Sequence, residues 1–255
     1  VTGSTVENTA GDVWIRRYHP TGAGAPRLVC FPHAGGAASY FFPLSAALRD
    51  EAEVLAVQYP GRQDRRHEPA VDDIHRLADL LTVALEGTVD DRTVFFGHSM
   101  GASVAFEVAR RLERGAGRGP ALLIASGRRA PSRHRDERIH RLDDAGLVRE
   151  TRALSGTDST LLDDEEILRM ILPILRNDYR AVETYTSAPD AAIDAPITAF
   201  IGTGDPKVSV DEAQDWSHHT RGAFRREDFA GGHFYLTETP DALRHKLLAE
   251  LRTVG

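Results

Sequence analysis

A chain of 255 residues suits one large α/β domain or two small ones. Its 41% hydrophobic and 27% charged content sets aside the disordered, collagen-like and disulfide-rich classes. A net charge of −7, from 31 basic against 38 acidic side chains, argues against bulk attraction to nucleic acid or to an acidic membrane. No run approaches the roughly 18 apolar residues of a membrane helix. The opening VTGSTVENTAGD has no basic region followed by an apolar one, so no signal peptide is expected. The single cysteine, Cys30, permits no internal disulfide, and a cytoplasmic protein is the expectation.

Strand candidates follow one another at Val13–Tyr18, Arg27–Pro32, Glu53–Pro60, Thr93–His98, Ala121–Ser126, Ile197–Gly202 and Ala223–Asp228. Runs such as LVCF, VLAV and ALLIA are apolar on both faces, as buried parallel strands require. Helical periodicity falls between them: the stripe Ile74, Leu77, Ala78, Leu81 and Leu85, then Met100–Leu112, and Pro240–Leu251 at the end. The alternation predicts one α/β domain over 1–255, with a mostly parallel sheet flanked by helices.

The alternation breaks between Gly127 and Ile197, where helical patterns near Asp143–Leu154 and Asp163–Tyr185 predict a helical lid insertion over 127–196. The second pattern is apolar on more than one face. Met170, Ile171 and Ile174 are candidates for the wall of an apolar substrate chamber. Pro173 is expected to kink this helix or to divide it.

The strongest local motif is Gly97-His98-Ser99-Met100-Gly101. It joins a strand, TVFFGHS, to an amphipathic helix, which is the setting of the nucleophile elbow in the α/β-hydrolase fold. Serine needs a base, and the base needs an orienting acid. In this fold they follow the serine in the order acid, then histidine. Asp205, after the strand ITAFIGTG, and His233, in the loop after AFRREDF, fill those places. Asp211 and Asp215 in the next helix, and Asp178 in the insertion, are the weaker acids. A tetrahedral intermediate also needs backbone N–H donors. The Met100 amide follows the nucleophile. The loop Phe31-Pro32-His33-Ala34-Gly35-Gly36 offers the second, with Ala34 favoured and Gly35 as its rival. Cys30 reads as a core residue, and His98, inside the elbow, is not taken as the base. No spacing suggests a metal site, and no phosphate-binding glycine loop suggests a nucleotide cofactor.

Several segments together resemble the type II thioesterases, the stand-alone thioesterases of polyketide and nonribosomal peptide pathways. They are FPHAGGAASYF, YPGRQDRRHE, GHSMG, ILPILRNDYRAVETY, GTGDPKVS and GGHFYL, in the family's order from about Arg27 to Leu251. The resemblance implies hydrolysis of acyl thioesters from the phosphopantetheine arm of acyl or peptidyl carrier proteins, with no cofactor of the enzyme's own. It carries the triad to Ser99, Asp205 and His233, and the oxyanion amides to Met100 and Ala34. A general esterase or lipase, and a medium-chain acyl-carrier hydrolase of fatty acid synthesis, use the same machinery and stay open as alternatives. Gly127–Arg141 holds six arginines against two acids. Arg128 and Arg133 of this stretch are expected to help dock an acidic carrier. A monomer is expected, since no extra dimerisation element is evident.

Overall fold

The apolar runs become the strands of a single sheet. The computed structural model describes residues 13–22, 24–155 and 165–254. The strands are β1 (Ile15–Arg16), β2 (Arg27–Phe31), β3 (Glu53–Val57), β4 (Thr93–His98), β5 (Leu122–Ser126), β6 (Ile197–Gly202) and β7 (Phe224–Phe229). They lie in the order β1-β3-β2-β4-β5-β6-β7. Only β1 is antiparallel, pairing Ile15 with Val57 and Arg16 with Ala56. This first strand is far shorter than Val13–Tyr18, while β7 sits one residue later than expected.

The helices are α1 (Phe42–Leu48), α2 (Ile74–Leu85), α3 (Met100–Ala116), α4 (Asp144–Ser155), α5 (Glu165–Glu183), α6 (Val210–Gln214), α7 (Tyr235–Glu238) and α8 (Pro240–Leu251). Strand side chains alternate between faces. Val29 and Phe31 of β2 therefore join one core with Leu77 and Leu81 of α2 and Val104 and Phe106 of α3. Leu28 and Cys30 join the opposite core with Leu48 of α1 and Leu243 and Leu247 of α8. Cys30 is fully buried, and burial pushes its thiol pKa up, which agrees with a core role. Among the described residues no helix is long and apolar enough to cross a membrane.

The topology positions the site. From β2 the chain moves outward to β3, and from β4 it moves the other way to β5. The connections leaving the adjacent ends of β2 and β4 diverge there, the switch point where open α/β sheets bind ligands. The Pro32–Gly36 loop and Ser99 both lie at that point.

Between β5 and β6 the expected helices appear as α4 and α5. The start of the second expected helix, Asp163, lies outside the described residues. Pro173 does not divide α5, which is continuous through it. Its ring faces solvent at that position. Leu172 and Leu175 of α5 pack with Ile139 and with Leu147 of α4 in a small separate cluster. At roughly 1.5–3 kcal/mol for each buried side chain, this attachment is modest beside the main cores.

Candidate active site

Ser99 stands between β4 and α3 with φ 55° and ψ −118°. Such a backbone conformation costs a non-glycine residue on the order of 1–3 kcal/mol and persists only where its surroundings dictate it. Here the Ser99 amide donates to the Ser126 carbonyl at 2.8 Å, and its carbonyl accepts from the Ala102 amide at 3.0 Å. The flanking glycines are steric necessities. A Cβ on Gly101 would lie 2.0 Å from the Phe31 oxygen, and one on Gly97 would lie 2.4 Å from the Gly101 oxygen. Strand, turn and helix are thus pressed together, and the serine side chain projects above the sheet.

The loops after β6 and β7 bring the other two side chains to it. His233 Nε2 is 3.0 Å from Ser99 Oγ, and His233 Nδ1 is 2.8 Å from Asp205 Oδ2. The second Asp205 oxygen accepts the Lys207 amide at 2.7 Å, which fixes the carboxylate plane. The Asp205 side chain is fully buried and that of His233 nearly so. A carboxylate can only accept, so Nδ1 carries the proton and Nε2 is left to accept from the serine hydroxyl. The rivals Asp211 and Asp215 take no part: Asp215 pairs with Arg133.

Two further imidazoles surround His233. His98 lies 5.1 Å from it, centre to centre, and His33 lies 6.0 Å from His98. His98 is not the base, as expected: its Nδ1 is engaged with Ser126 Oγ, which also meets the Tyr235 hydroxyl. Burial holds His98 well below the ordinary histidine range, with His233 and His33 adding repulsion. Burial first, then His233 and Arg62, push His33 down to about 3. Both stay neutral in the folded protein, whereas in the unfolded chain they charge near pH 6.5. Below that pH the unfolded chain binds more protons, so stability present above about 6.5 is lost as pH falls towards 3. Urea midpoints should decline over that window. In His98→Phe the decline should be shallower, and an equally steep one would remove His98 from the account.

The amides of the donor loop are not equally engaged. The Gly35 amide donates to Asp178 Oδ2 at 2.8 Å, and the Gly36 amide donates to the His33 carbonyl at 2.9 Å. Among the described residues the Ala34 amide has no hydrogen-bond partner. Met100 opens α3, where its N–H meets no carbonyl of its own helix.

A cavity of about 320 Å³ opens over Ser99. An i, i+4 stripe of α5, Ile167, Ile171, Leu175 and Tyr179, lines it, with Phe234 beside His233. Ile171 is therefore where the sequence reading put it. Met170 and Ile174 are corrections: Met170 is 60% exposed, and neither lines this cavity. The helix turns 100° per residue, so 170 looks away when 171 and 175 look inward, while Ile174 is half-buried on the flank of the stripe. The lining also includes Arg128, Glu137 and Lys207. Glu137 bridges Arg129 and Lys207, a polar patch that no local pattern announced.

The arginine-rich stretch is extensively paired within the chain. Arg133 pairs with Asp215, Arg135 with Glu212, Arg138 with Asp136, and Arg129 with Glu137. Arg128 turns into the cavity wall and donates to the Val182 carbonyl near the end of α5, at 3.4 Å. Asp136 and Glu137 belong to the stretch itself, whereas Asp215 and Glu212 are brought from elsewhere and offset two of its four excess positive charges. His219, beside His218, is structural: its Nδ1 meets the Ala191 carbonyl and its Nε2 the Ser132 amide.

The thioesterase-domain family model matches residues 26–251. The probable cadicidin biosynthesis thioesterase of Streptomyces griseus is 54% identical over 97% of this chain and 68% of its own length. Thioesterase PikA5 of Streptomyces venezuelae is 50% identical over 91% of this chain and 83% of its own. The solved type II thioesterase BorB, from the borrelidin biosynthetic cluster, superposes with a TM-score of 0.88 at 49% identity, covering 94% of this chain and 98% of BorB. On the family match, this sequence likeness and the superposition, the chain belongs to the thioesterase family, among its type II members.

Proposed function

We propose that the chain hydrolyses acyl thioesters held on the phosphopantetheine arm of acyl or peptidyl carrier proteins, clearing stalled or aberrant acyl groups in polyketide or nonribosomal peptide biosynthesis. The observation that carries this reading is the hydrogen-bonded series Ser99, His233, Asp205 opening on a largely apolar cavity. The chain's likeness to thioesterases of such pathways supports the substrate class.

In the first half-reaction Ser99 Oγ bonds to the thioester carbonyl carbon while His233 Nε2 takes the hydroxyl proton. Asp205 holds the imidazole tautomer and stabilises the imidazolium. The carbonyl electron pair moves onto oxygen, where the Met100 and Ala34 amides receive it. Collapse breaks the C–S bond, and His233 returns its proton to the departing sulfur. With a thiol pKa near 8.5, sulfur leaves far more readily than an alkoxide, so this step asks little of the acid. Water then repeats the sequence on the acyl-serine and frees the carboxylic acid. The α4–α5 insertion acts as a lid over the acyl chain, with Ile171 and Leu175 as its apolar contact. Nucleophile, base, orienting acid and amide donors all come from the chain, so the proposed cycle draws on no cofactor beyond the substrate's own phosphopantetheine.

The test is mass spectrometry of an acylated carrier protein incubated with the enzyme, beside a nitrophenyl ester of the same acyl group. Loss of the acyl mass with the pantetheine arm retained, at a higher kcat/KM than for the oxygen ester, is the expected result. An intact acyl-carrier alongside rapid ester cleavage would point instead to a general esterase.

A further inference from the structure

The loop that offers the Ala34 amide has no regular structure of its own, so its geometry must be imposed from outside. One buried ion pair reaches two of the loop's residues, Gly35 and Gly36. Asp178 Oδ2 accepts both the Gly35 amide at 2.8 Å and Arg62 Nη1 at 2.7 Å, and Oδ1 accepts Arg62 Nη2 at 2.9 Å. Arg62 Nη1 also donates to the Gly36 carbonyl at 2.9 Å. The two side chains are 5% and 1% exposed, so water does not compete for these bonds. The bidentate arrangement fixes direction as well as distance.

The surroundings hold the pair in turn. Arg62 precedes Gln63, which with Ser99 is one of two non-glycine residues at positive φ among those described. Gln58 Nε2 donates to the Arg62 carbonyl, and Gln58 Oε1 accepts the Ala38 amide at 2.7 Å. The Tyr59 hydroxyl reaches the Pro32 carbonyl. From the other side, a Cβ at Gly35 would come within 2.9 Å of Leu175 of α5, so helix and loop already touch. Asp178 lies on that same helix, one turn beyond the cavity-lining Leu175.

We infer that Asp178 and Arg62 are positioning residues of the oxyanion hole: they turn the Gly35 amide towards α5 and so present the preceding amide, that of Ala34, towards Ser99. The pair thereby ties the helix over the acyl chain to the loop that stabilises the reacting carbonyl. This rests on the thioester-hydrolysis reading above. A buried ion pair is poor evidence of stabilisation for its own sake, but it can specify one arrangement among several. Here the arrangement is that of three consecutive loop residues whose misplacement by an ångström would be felt in the transition state.

The test compares Asp178→Asn, Asp178→Ala and Arg62→Lys with the wild type on acyl-pantetheine. Arg180→Ala serves as the control, since Arg180 lies on the same helix and its pair is with Asp72 in the segment before α2, at an exposed site. A second readout is the affinity of an acyl trifluoromethyl ketone, which adds Ser99 Oγ and places an oxyanion in the hole. The pair variants should lose on the order of 10–100-fold in kcat with little change in KM. Ketone affinity should fall in step with kcat/KM, because both report the transition-state interaction. Asp178→Asn, which keeps an acceptor for Gly35, should retain more activity than Asp178→Ala. Arg180→Ala should match the wild type. Unchanged kcat in folded Asp178→Asn and Arg62→Lys, a rise in KM alone, or ketone affinity that stays constant while kcat falls would overturn the inference. Where Asp178→Ala does not fold, the other two variants carry the same test. Failure of the underlying reading looks different: the wild type itself would show no serine-dependent thioester cleavage and no ketone adduct.

Discussion

Ser99→Ala should lower kcat for acyl-pantetheine hydrolysis on the order of 10⁶-fold, with the folded structure unchanged. The size of the loss follows from the division of labour. Without Oγ there is no acyl-serine, and the donors and the cavity can only assist direct attack by water. Structural cost is small because His233 Nε2 is the one hydrogen-bond partner described for this hydroxyl. Alanine meets the same backbone demand at φ 55° as serine does, and the bonds from the Ser99 amide and carbonyl are untouched. Release of pantetheine thiol, followed colorimetrically, measures the rate, and a thermal melt checks the fold. A residual rate within tenfold of wild type would sink the nucleophile assignment.

The serine was legible because its requirements are local. A Cβ on Gly97 would meet the Gly101 oxygen at 2.4 Å within the strand–turn–helix unit, and one on Gly101 would meet the Phe31 oxygen of the neighbouring β2 at 2.0 Å, so five consecutive letters carry the turn. Asp205 and His233 were legible for a different reason. Parallel strands bring their following loops to one edge, so chain order alone sets which acid and which histidine can meet the serine. What escaped was pairing across long separations. Arg62 and Asp178 lie 116 residues apart, and Lys207 and Glu137 lie 70 apart. Neither pair leaves a periodic or compositional trace. The same blindness inflated the basic stretch, since Arg133 and Arg135 find Asp215 and Glu212 some eighty residues further on. On α5 the difficulty was angular. Several apolar side chains point in different directions round that helix, and the sequence pattern does not say which direction faces the serine. The choice falls to Ile167, Ile171 and Leu175 because Asp178 and Leu175 hold that side against the donor loop.

Asp205→Asn should cost on the order of 10⁴-fold in kcat, less than loss of the serine but more than any of the positioning variants. The carboxylate accepts the Nδ1 proton and so leaves Nε2 as an acceptor. An asparagine held by the Lys207 amide through its oxygen presents its NH₂ group to the imidazole, and Nδ1 must then accept. The proton moves to Nε2, which faces Ser99 as a donor and no longer draws the hydroxyl proton away. Neither neighbouring histidine compensates. His98 is engaged with Ser126, and burial keeps both it and His33 neutral without a carboxylate partner. Because Asp205 acts only through His233 and Ser99, its loss should have no further effect once the serine is gone. Ser99→Ala combined with Asp205→Asn is therefore expected to hydrolyse acyl-pantetheine at the rate of Ser99→Ala alone. Fluorophosphonate labelling of Ser99 should slow in the single Asp205→Asn variant by about the same factor as kcat. If the two losses multiplied in the double variant, Asp205 would be acting independently of the serine, and Ser99, His233 and Asp205 would not form one catalytic unit.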